Sequence, residues 1–337
     1  MTGVQTCALP IFGIGRDMKE YGSAFEMRES EFYLTTDEFI HSPSMKTFRD
    51  ELILLKGSRA FHFERITELL EKKVHETVLE VNLDAVVHNF NHFRSKLHRD
   101  TKMVCMVKAF GYGAGSYEVA KTLQEHRCDY LAVAVADEGE ALRKEGISIP
   151  IIVMDPEFSS FNVLFERQLE PEVYSFRLLD ALMKEAGRRG ITSYPIHIKI
   201  DTGMHRLGFR PSDVREICQR LEQQSSLVVR SVFSHLVGSD SPEHDEFTRG
   251  QIRLFTQSAE ALEAGLGYPV LKHILNSAGI ERFTGHQMDM VRLGISLYGI
   301  SASVSEAKKL QPVSSLKTTI LDRKSTRLNS VTRTYLV

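Results

Sequence analysis

Between about residues 100 and 300, short apolar runs alternate with stretches in which apolar residues recur every three or four positions. Runs at 102–108, 130–136, 150–154, 171–175, 195–200, 228–235, 271–275 and 288–292 predict eight strands. Helices are predicted over 116–126, 137–146, 176–189, 212–224 and 246–265; in the fourth, Val214, Ile217, Cys218 and Leu221 share one face. Strands alternating with crossover helices in this way are expected of an α/β (β/α)8 TIM-type barrel. An open doubly wound sheet is the rival, and periodicity alone does not separate the two.

Upstream, 77–81 reads as a strand leading into a helix over 83–97, with Val86, Val87, Phe90, Phe93 and Leu97 on one face. Residues 12–75 read as a separate α/β unit. Within it, 51–59 is a buried-type strand ending in a Lys-Gly-Ser-Arg turn, followed by a helix over 62–73. The charged stretch 71–76 is the expected linker. A barrel unit then covers 76–308, and 309–321 opens a C-terminal β domain whose first strand finds no partner in the sequence. Residues 1–11 and 322–337 fit no periodicity and resemble translated sequencing-adapter sequence, so they are expected to be a non-native leader and tail flanking a truncated protein.

Composition narrows the class. The 337 residues are 42% apolar and 26% charged, with a formal net charge of −2. That length allows two domains or one large barrel with appendages. The near-neutral balance, without a Lys/Arg stripe, argues against nucleic acid as a partner. No apolar run approaches the ~20 residues needed to cross a bilayer, so no membrane association is expected. Cys7, Cys105, Cys128 and Cys218 show neither metal spacing nor disulfide rhythm. Cys105 and Cys128 read as core residues, consistent with a cytoplasmic protein.

Candidate chemistry gathers where a barrel requires it, at the C-terminal ends of the strands. Lys108 closes the first strand, Lys199 and Asp201 the fifth, His235 the sixth, Asn276 and Ser277 the seventh, and Arg292 the eighth. Lys108 is followed at once by Gly111, Gly113 and Gly115. A lysine at a buried strand end is poorly hydrated and so nearer its neutral, nucleophilic form, and the glycines let backbone N–H groups approach an anion. Together they suggest a site for pyridoxal 5'-phosphate (PLP); a solvated edge charge is the commoner reading of such a lysine.

Four separated motifs then carry a family resemblance: Val107-Lys-Ala-Phe-Gly-Tyr-Gly113, Lys199-Ile-Asp-Thr-Gly-Met-His-Arg-Leu-Gly208, Asn276-Ser277 and Met290-Val-Arg-Leu-Gly-Ile-Ser-Leu-Tyr-Gly299. From about residue 76 to 321 the chain resembles alanine racemase, a PLP enzyme with a (β/α)8 barrel and a C-terminal β domain. The resemblance implies a cytoplasmic homodimer that interconverts L- and D-alanine for cell-wall synthesis. It implies that Lys108 holds PLP and acts as one of two racemisation bases. Tyr112, Ser277, Gly294 and Ile295 would hold the phosphate, with Asn276 and His235 also beside the cofactor. Arg292 would face the pyridine nitrogen, and Arg206 the phenolic oxygen and the substrate carboxylate. Lys199 matches a lysine that is carbamylated in many members, where it orients that arginine. Taken singly, Ser277 also reads as a turn residue, Arg292 as a surface ion pair and His235 as a satisfied core histidine.

Departures are present. The family's commoner loop has Asn, Ala and His where this chain has Phe110, Gly111 and Ala114. Its second base, a tyrosine supplied across the dimer by the C-terminal domain, matches no residue here; Tyr335 has no motif around it. Catalysis is therefore expected to be impaired. Residues 12–75 resemble the extreme C-terminus of the ligase that adds D-alanyl-D-alanine to the UDP-N-acetylmuramoyl tripeptide, a match carried by Leu55-Lys-Gly-Ser-Arg59. No ATP-binding P-loop is present, so no ligase activity is expected. A non-catalytic PLP-binding barrel and a PLP-dependent amino-acid decarboxylase are the alternative functions.

Overall fold

The computed structural model describes residues 10–22, 30–48, 53–70 and 77–318. The expected leader (apart from its last two residues), the 71–76 linker and the 322–337 tail, with Cys7 and Tyr335, lie outside the described residues. The chain divides into two compact units, one running to Thr77 and one covering Val78–Thr318.

In the larger unit eight parallel strands form one sheet: β1 Lys102–Met106, β2 Tyr130–Val133, β3 Ile151–Val153, β4 Glu170–Val173, β5 Tyr194–Lys199, β6 Leu227–Phe233, β7 Leu271–His273 and β8 Met290–Leu293. Their order runs β7-β6-β5-β4-β3-β2-β1-β8. Two backbone bonds, Asp289 N–H to Lys272 O at 3.2 Å and Arg292 N–H to Leu275 O at 3.0 Å, bring the ends together. This is the TIM-type barrel, and the open-sheet rival is excluded. β1–β3 are nearly continuous apolar runs because both faces are buried, whereas β4–β8 mix apolar with polar positions.

Alternate residues face opposite ways. Met103, Cys105, Leu131, Val133, Ile151 and Val153 pack into the large core shared with the helices. Val104, Met106, Tyr130, Ala132, Ile152 and Met290 form a separate small cluster. β4–β8 add buried polar side chains to this interior: Glu170, Glu172, His197, Lys199, Ser231, His273 and Arg292. The barrel is thus apolar on one side of its interior and charged on the other.

The helices follow the apolar periodicity. In Leu83–Arg94 the Asn82 side chain caps Ala85 N–H, and Ala85, Val86, Asn89, Phe90 and Phe93 are buried. In Phe176–Arg188, Ser175 caps Leu178 N–H, and Leu178, Leu179, Leu182 and Ala186 are buried. Cys105 and Cys128 lie in the core as expected. Among the described residues no helix is long and apolar enough to cross a membrane.

Two expectations fail. The segment 311–321 was expected to lack partners, yet Ser314–Lys317 pairs antiparallel with Val78–Val81, with Leu316 opposite Leu79. Asn89, inside the first barrel helix, holds the approach: its Nδ2 donates to Gln311 O and its Oδ1 accepts from Gln311 N–H, both at 2.8 Å. The second failure is the strand at 51–59. Residues 53–58 form no strand, and Leu54 is 88% exposed. The smaller unit instead pairs Ile11–Ile14 in parallel with Ser30–Tyr33, and Leu55 packs against a core of Ile14, Phe39, Met45 and Ile66. Without a neighbouring strand to take its backbone bonds, an apolar run docks its side chains as loop. The helix expected over 62–73 is observed at Glu64–Leu70.

Candidate active site

A cavity of about 760 Å³ opens at the C-terminal ends of the barrel strands. Lys108, Tyr112, Lys199, Arg206, His235, Asn276, Ser277, Arg292, Gly294 and Ile295 all line it; Asp201, also placed at a strand end by the sequence, does not.

Lys108 begins a turn two residues beyond β1. The next residues are left-handed: Ala109, Phe110, Gly111 and Tyr112 have φ of 52, 54, 60 and 52°. For the three non-glycine residues that conformation costs about 1–2 kcal/mol each. Glu138 holds it in place, its two oxygens accepting from Ala109 N–H and Ala134 N–H at 2.7 Å each. Burial, then the charges of Arg206 and Lys199, lower the Lys108 pKa, which favours the free amine.

On the opposite wall Ser277 starts the short helix Ser277–Arg282, capped by Asn276, whose Oδ1 accepts from Gly279 N–H at 2.9 Å. Asn276 also donates to Leu236 O at 3.1 Å, so its side chain fixes the loop after β7. Ser277 Oγ accepts from Gly294 N–H at 2.9 Å and from Ser296 N–H at 3.5 Å. A Cβ on Gly294 would lie 3.3 Å from Tyr112 Oη and 3.7 Å from Ser277 Oγ. A side chain at Gly294 would therefore enter the space on which these hydroxyls and N–H groups converge. The Tyr112 ring is steadied against Tyr298, centroids 4.8 Å apart, and Tyr298 Oη donates to Met106 O at 3.0 Å.

The motif from Lys199 to Gly208 is a loop organised by Asp201. Its Oδ1 accepts from the N–H groups of Gly203, Met204 and His205 at 3.0 Å each. Burial pushes the Asp201 pKa up, but these bonds and His205 outweigh it and the carboxyl is lowered. Gly208 closes the loop with φ +134°, where a Cβ would lie 2.7 Å from Asp201 N. Arg206 projects from this loop as an exposed cation without an ion pair among the described residues.

Arg292 is buried and immobilised. It donates to the carbonyl oxygens of Ser234, His273 and Ile274 and to His273 Nδ1 at 2.7 Å. Because a guanidinium only donates, His273 Nδ1 accepts, and the directions of a longer line follow. His273 Nε2–H donates to Ser231 Oγ (3.0 Å), Ser231 O–H to His197 Nδ1 (2.6 Å), and His197 Nε2–H to Glu170 Oε2 (2.8 Å). Burial lowers the Arg292 pKa to about 10, which still leaves it charged at neutral pH. No motif in the sequence marks His273, Ser231, His197 or Glu170. Their only signal was the recurrence of polar residues at alternate positions inside apolar strands.

His235 lines the same space, and its pKa is lowered to about 3 by burial and then by Arg292, Arg206, Lys199 and Lys108. Unfolding would return it to about 6.5. Below that pH the unfolded chain takes up a proton that the folded one refuses, so stability falls as pH drops from 6.5 towards 3, at up to ~1.4 kcal/mol per pH unit. Denaturant titrations at pH 7 and pH 5 should show a smaller loss in His235→Gln than in the wild type; an equal loss would show that His235 does not set this dependence.

The chain can be compared with known proteins. The sequence profile of the alanine racemase N-terminal domain matches residues 81–302. Alanine racemase 2 of Caldanaerobacter subterraneus subsp. tengcongensis is 35% identical over 255 residues, covering 74% of this chain and 65% of that protein. Alanine racemase 1 of Oceanobacillus iheyensis is 36% identical over 244 residues, covering 71% and 64%. The chain thus spans less than two thirds of the length of these curated relatives. Among solved structures, alanine racemase of Clostridium difficile 630 superposes with a TM-score of 0.68 at 32% identity, covering 72% of this chain and 64% of that one. The Bacillus anthracis alanine racemase with bound L-Ala-P gives 0.66 at 32% identity, covering 72% and 64%.

Proposed function

The chain belongs to the family defined by the alanine racemase N-terminal domain, and from that premise we propose that it binds PLP and acts on alanine. The observation that carries the reading is the convergence of Lys108, Arg206, Arg292, Tyr112 and Ser277 on one cavity. The residues fit the cofactor. A lysine with a lowered pKa lies at one wall, and at the other is a hydroxyl- and N–H-lined recess that a single Cβ at Gly294 would fill.

When bound, PLP draws electrons from the α-carbon of an attached amino acid and makes its hydrogen acidic. The protein's own groups do the rest. Lys108 holds the cofactor through its Nζ and, once released, takes or returns the proton at the α-carbon on its own face. Arg206, an unpaired cation at the rim, receives the substrate carboxylate. Arg292 keeps its proton and so withholds it from a ring nitrogen, which limits electron withdrawal and favours return of the proton to the α-carbon. Tyr112, Ser277 and the N–H groups of Gly294 and Ile295 hold the phosphate.

The proposal also includes residues 12–75 as the tail of a D-alanyl-D-alanine-adding ligase, which would couple D-alanine supply to its use. Incubation with PLP should develop the visible band of lysine-bound cofactor, and addition of L-alanine should perturb that band and slowly yield D-alanine. Release of carbon dioxide instead would favour the decarboxylase, and a band unmoved by any amino acid would favour the non-catalytic barrel. Ser277→Ala should raise the PLP dissociation constant about tenfold, about 1.4 kcal/mol, by removing one phosphate contact. An unchanged constant would take Ser277 out of the phosphate site.

A further inference from the structure

Glu172, on β4, has no part in the reading above, yet it lines the cavity with a fully buried side chain. Its Oε1 accepts from Lys199 Nζ at 2.7 Å, and its Oε2 is buried with no hydrogen-bond partner. Lys108, Lys199, Arg206 and Arg292 line the same space, and the charges of Lys199, Arg292 and Arg206 all act on this carboxylate. Asp155 and Asp240 stand at less buried positions, and Glu281 is occupied by Ser296 and Ser301. Glu172 is therefore the anion set in the midst of the cavity's cations. Burial raises its pKa to about 7, and Lys199, Arg292 and Arg206 pull against that rise in favour of the carboxylate.

A lysine in such a place is otherwise open to carbon dioxide. The neutral amine attacks the carbon, an N–C bond forms, one C=O pair moves to oxygen, and a proton leaves to solvent, giving an anionic carbamate. At Lys199 that product would set a second anion against the Glu172 carboxylate, in an interior with little water to screen the two.

We infer that Glu172 supplies without a covalent bond the charge a carbamate would bring, so that Lys199 stays unmodified and Glu172 is the positioning residue for Arg206. Its effect on Arg206 rests on the proposed function; its effect on Lys199 does not.

The full chain, freed of PLP, is equilibrated with 13C-bicarbonate, and carbamate is read by 13C NMR. Wild type should give no signal above that of Lys199→Ala. Glu172→Ala, which removes the competing charge and opens space, should acquire a carbamate signal that the double variant with Lys199→Ala lacks. A Lys199-dependent signal in wild type would overturn the inference, whether or not the chain proves to bind PLP. If Glu172→Ala does not fold, Glu172→Gln keeps the shape without the charge. In the PLP-loaded protein it should raise at least tenfold the alanine concentration that half-perturbs the visible band, leaving PLP affinity within about twofold. An unchanged alanine requirement would remove Glu172 from the positioning of Arg206.

Discussion

Lys108→Ala abolishes the visible band of bound PLP and slows exchange of the alanine α-hydrogen with solvent deuterium by at least about a thousandfold. Exchange is the right measurement because it needs one base, on one face, whereas racemisation needs two. With Lys108 intact, the enantiomer whose α-hydrogen faces this lysine should exchange it with solvent deuterium. The lysine is prepared for this by its surroundings: burial and the charges of Arg206 and Lys199 lower its pKa, and Glu138 holds the left-handed turn that begins at Ala109. Substitution at Lys108 removes no buried hydrogen bond from the core, so the variant should fold. A folded Lys108→Ala that retained the band would place the cofactor elsewhere.

Arg292→Ala acts on stability as much as on chemistry. Its guanidinium serves three carbonyl oxygens and His273 Nδ1 in the barrel interior. Alanine removes the guanidinium from all four acceptors, of which His273 O keeps a bond from Ser234 N–H at 3.3 Å, and ends the directional line through Ser231 and His197 to Glu170. The expected loss is roughly 4 kcal/mol, a large share of the about 5–15 kcal/mol that holds a domain folded. Urea denaturation followed by circular dichroism reads it directly. Arg292→Lys should lose less, because an ammonium can serve some of the acceptors, but it cannot span all four from one planar group. A loss below about 1 kcal/mol for Arg292→Ala would mean that water or a shifted side chain satisfies these acceptors.

What the sequence disclosed follows from what each signal depends on. All eight barrel strands were legible, within about two residues at most ends: β1–β3 because a parallel strand buried on both faces is an apolar run in its own right, and β4–β8 by the apolar residues that alternate with or flank their polar ones. The candidate residues were legible because barrel geometry concentrates them at strand ends, where Lys108, Lys199 and Arg292 stand out against apolar neighbours. Glu172 and Glu170 were not, since a carboxylate in a short strand also reads as a solvated edge charge. Their burial depends on facing Lys199 and His197 on the next strand, which is a matter of register between strands rather than of period along one. The left-handed turn was hidden for a different reason. Ala109 and Phe110 have no preference for that conformation, and it is imposed by Glu138, 29 residues further on. The pairing of Ser314–Lys317 with Val78–Val81 spans most of the unit, so no local signal could report it. The apolar run at 53–55 misled because strand propensity has no force without a neighbour to bond to.

The account as a whole depends on a covalent link between one amine and the cofactor. Reduction of the PLP-treated chain with borohydride, followed by peptide mass spectrometry, locates that link. The pyridoxyl mass should appear on the peptide containing Lys108 and vanish in Lys108→Ala. Its appearance on Lys199 or another lysine, or on none while the visible band is present, would contradict the assignment.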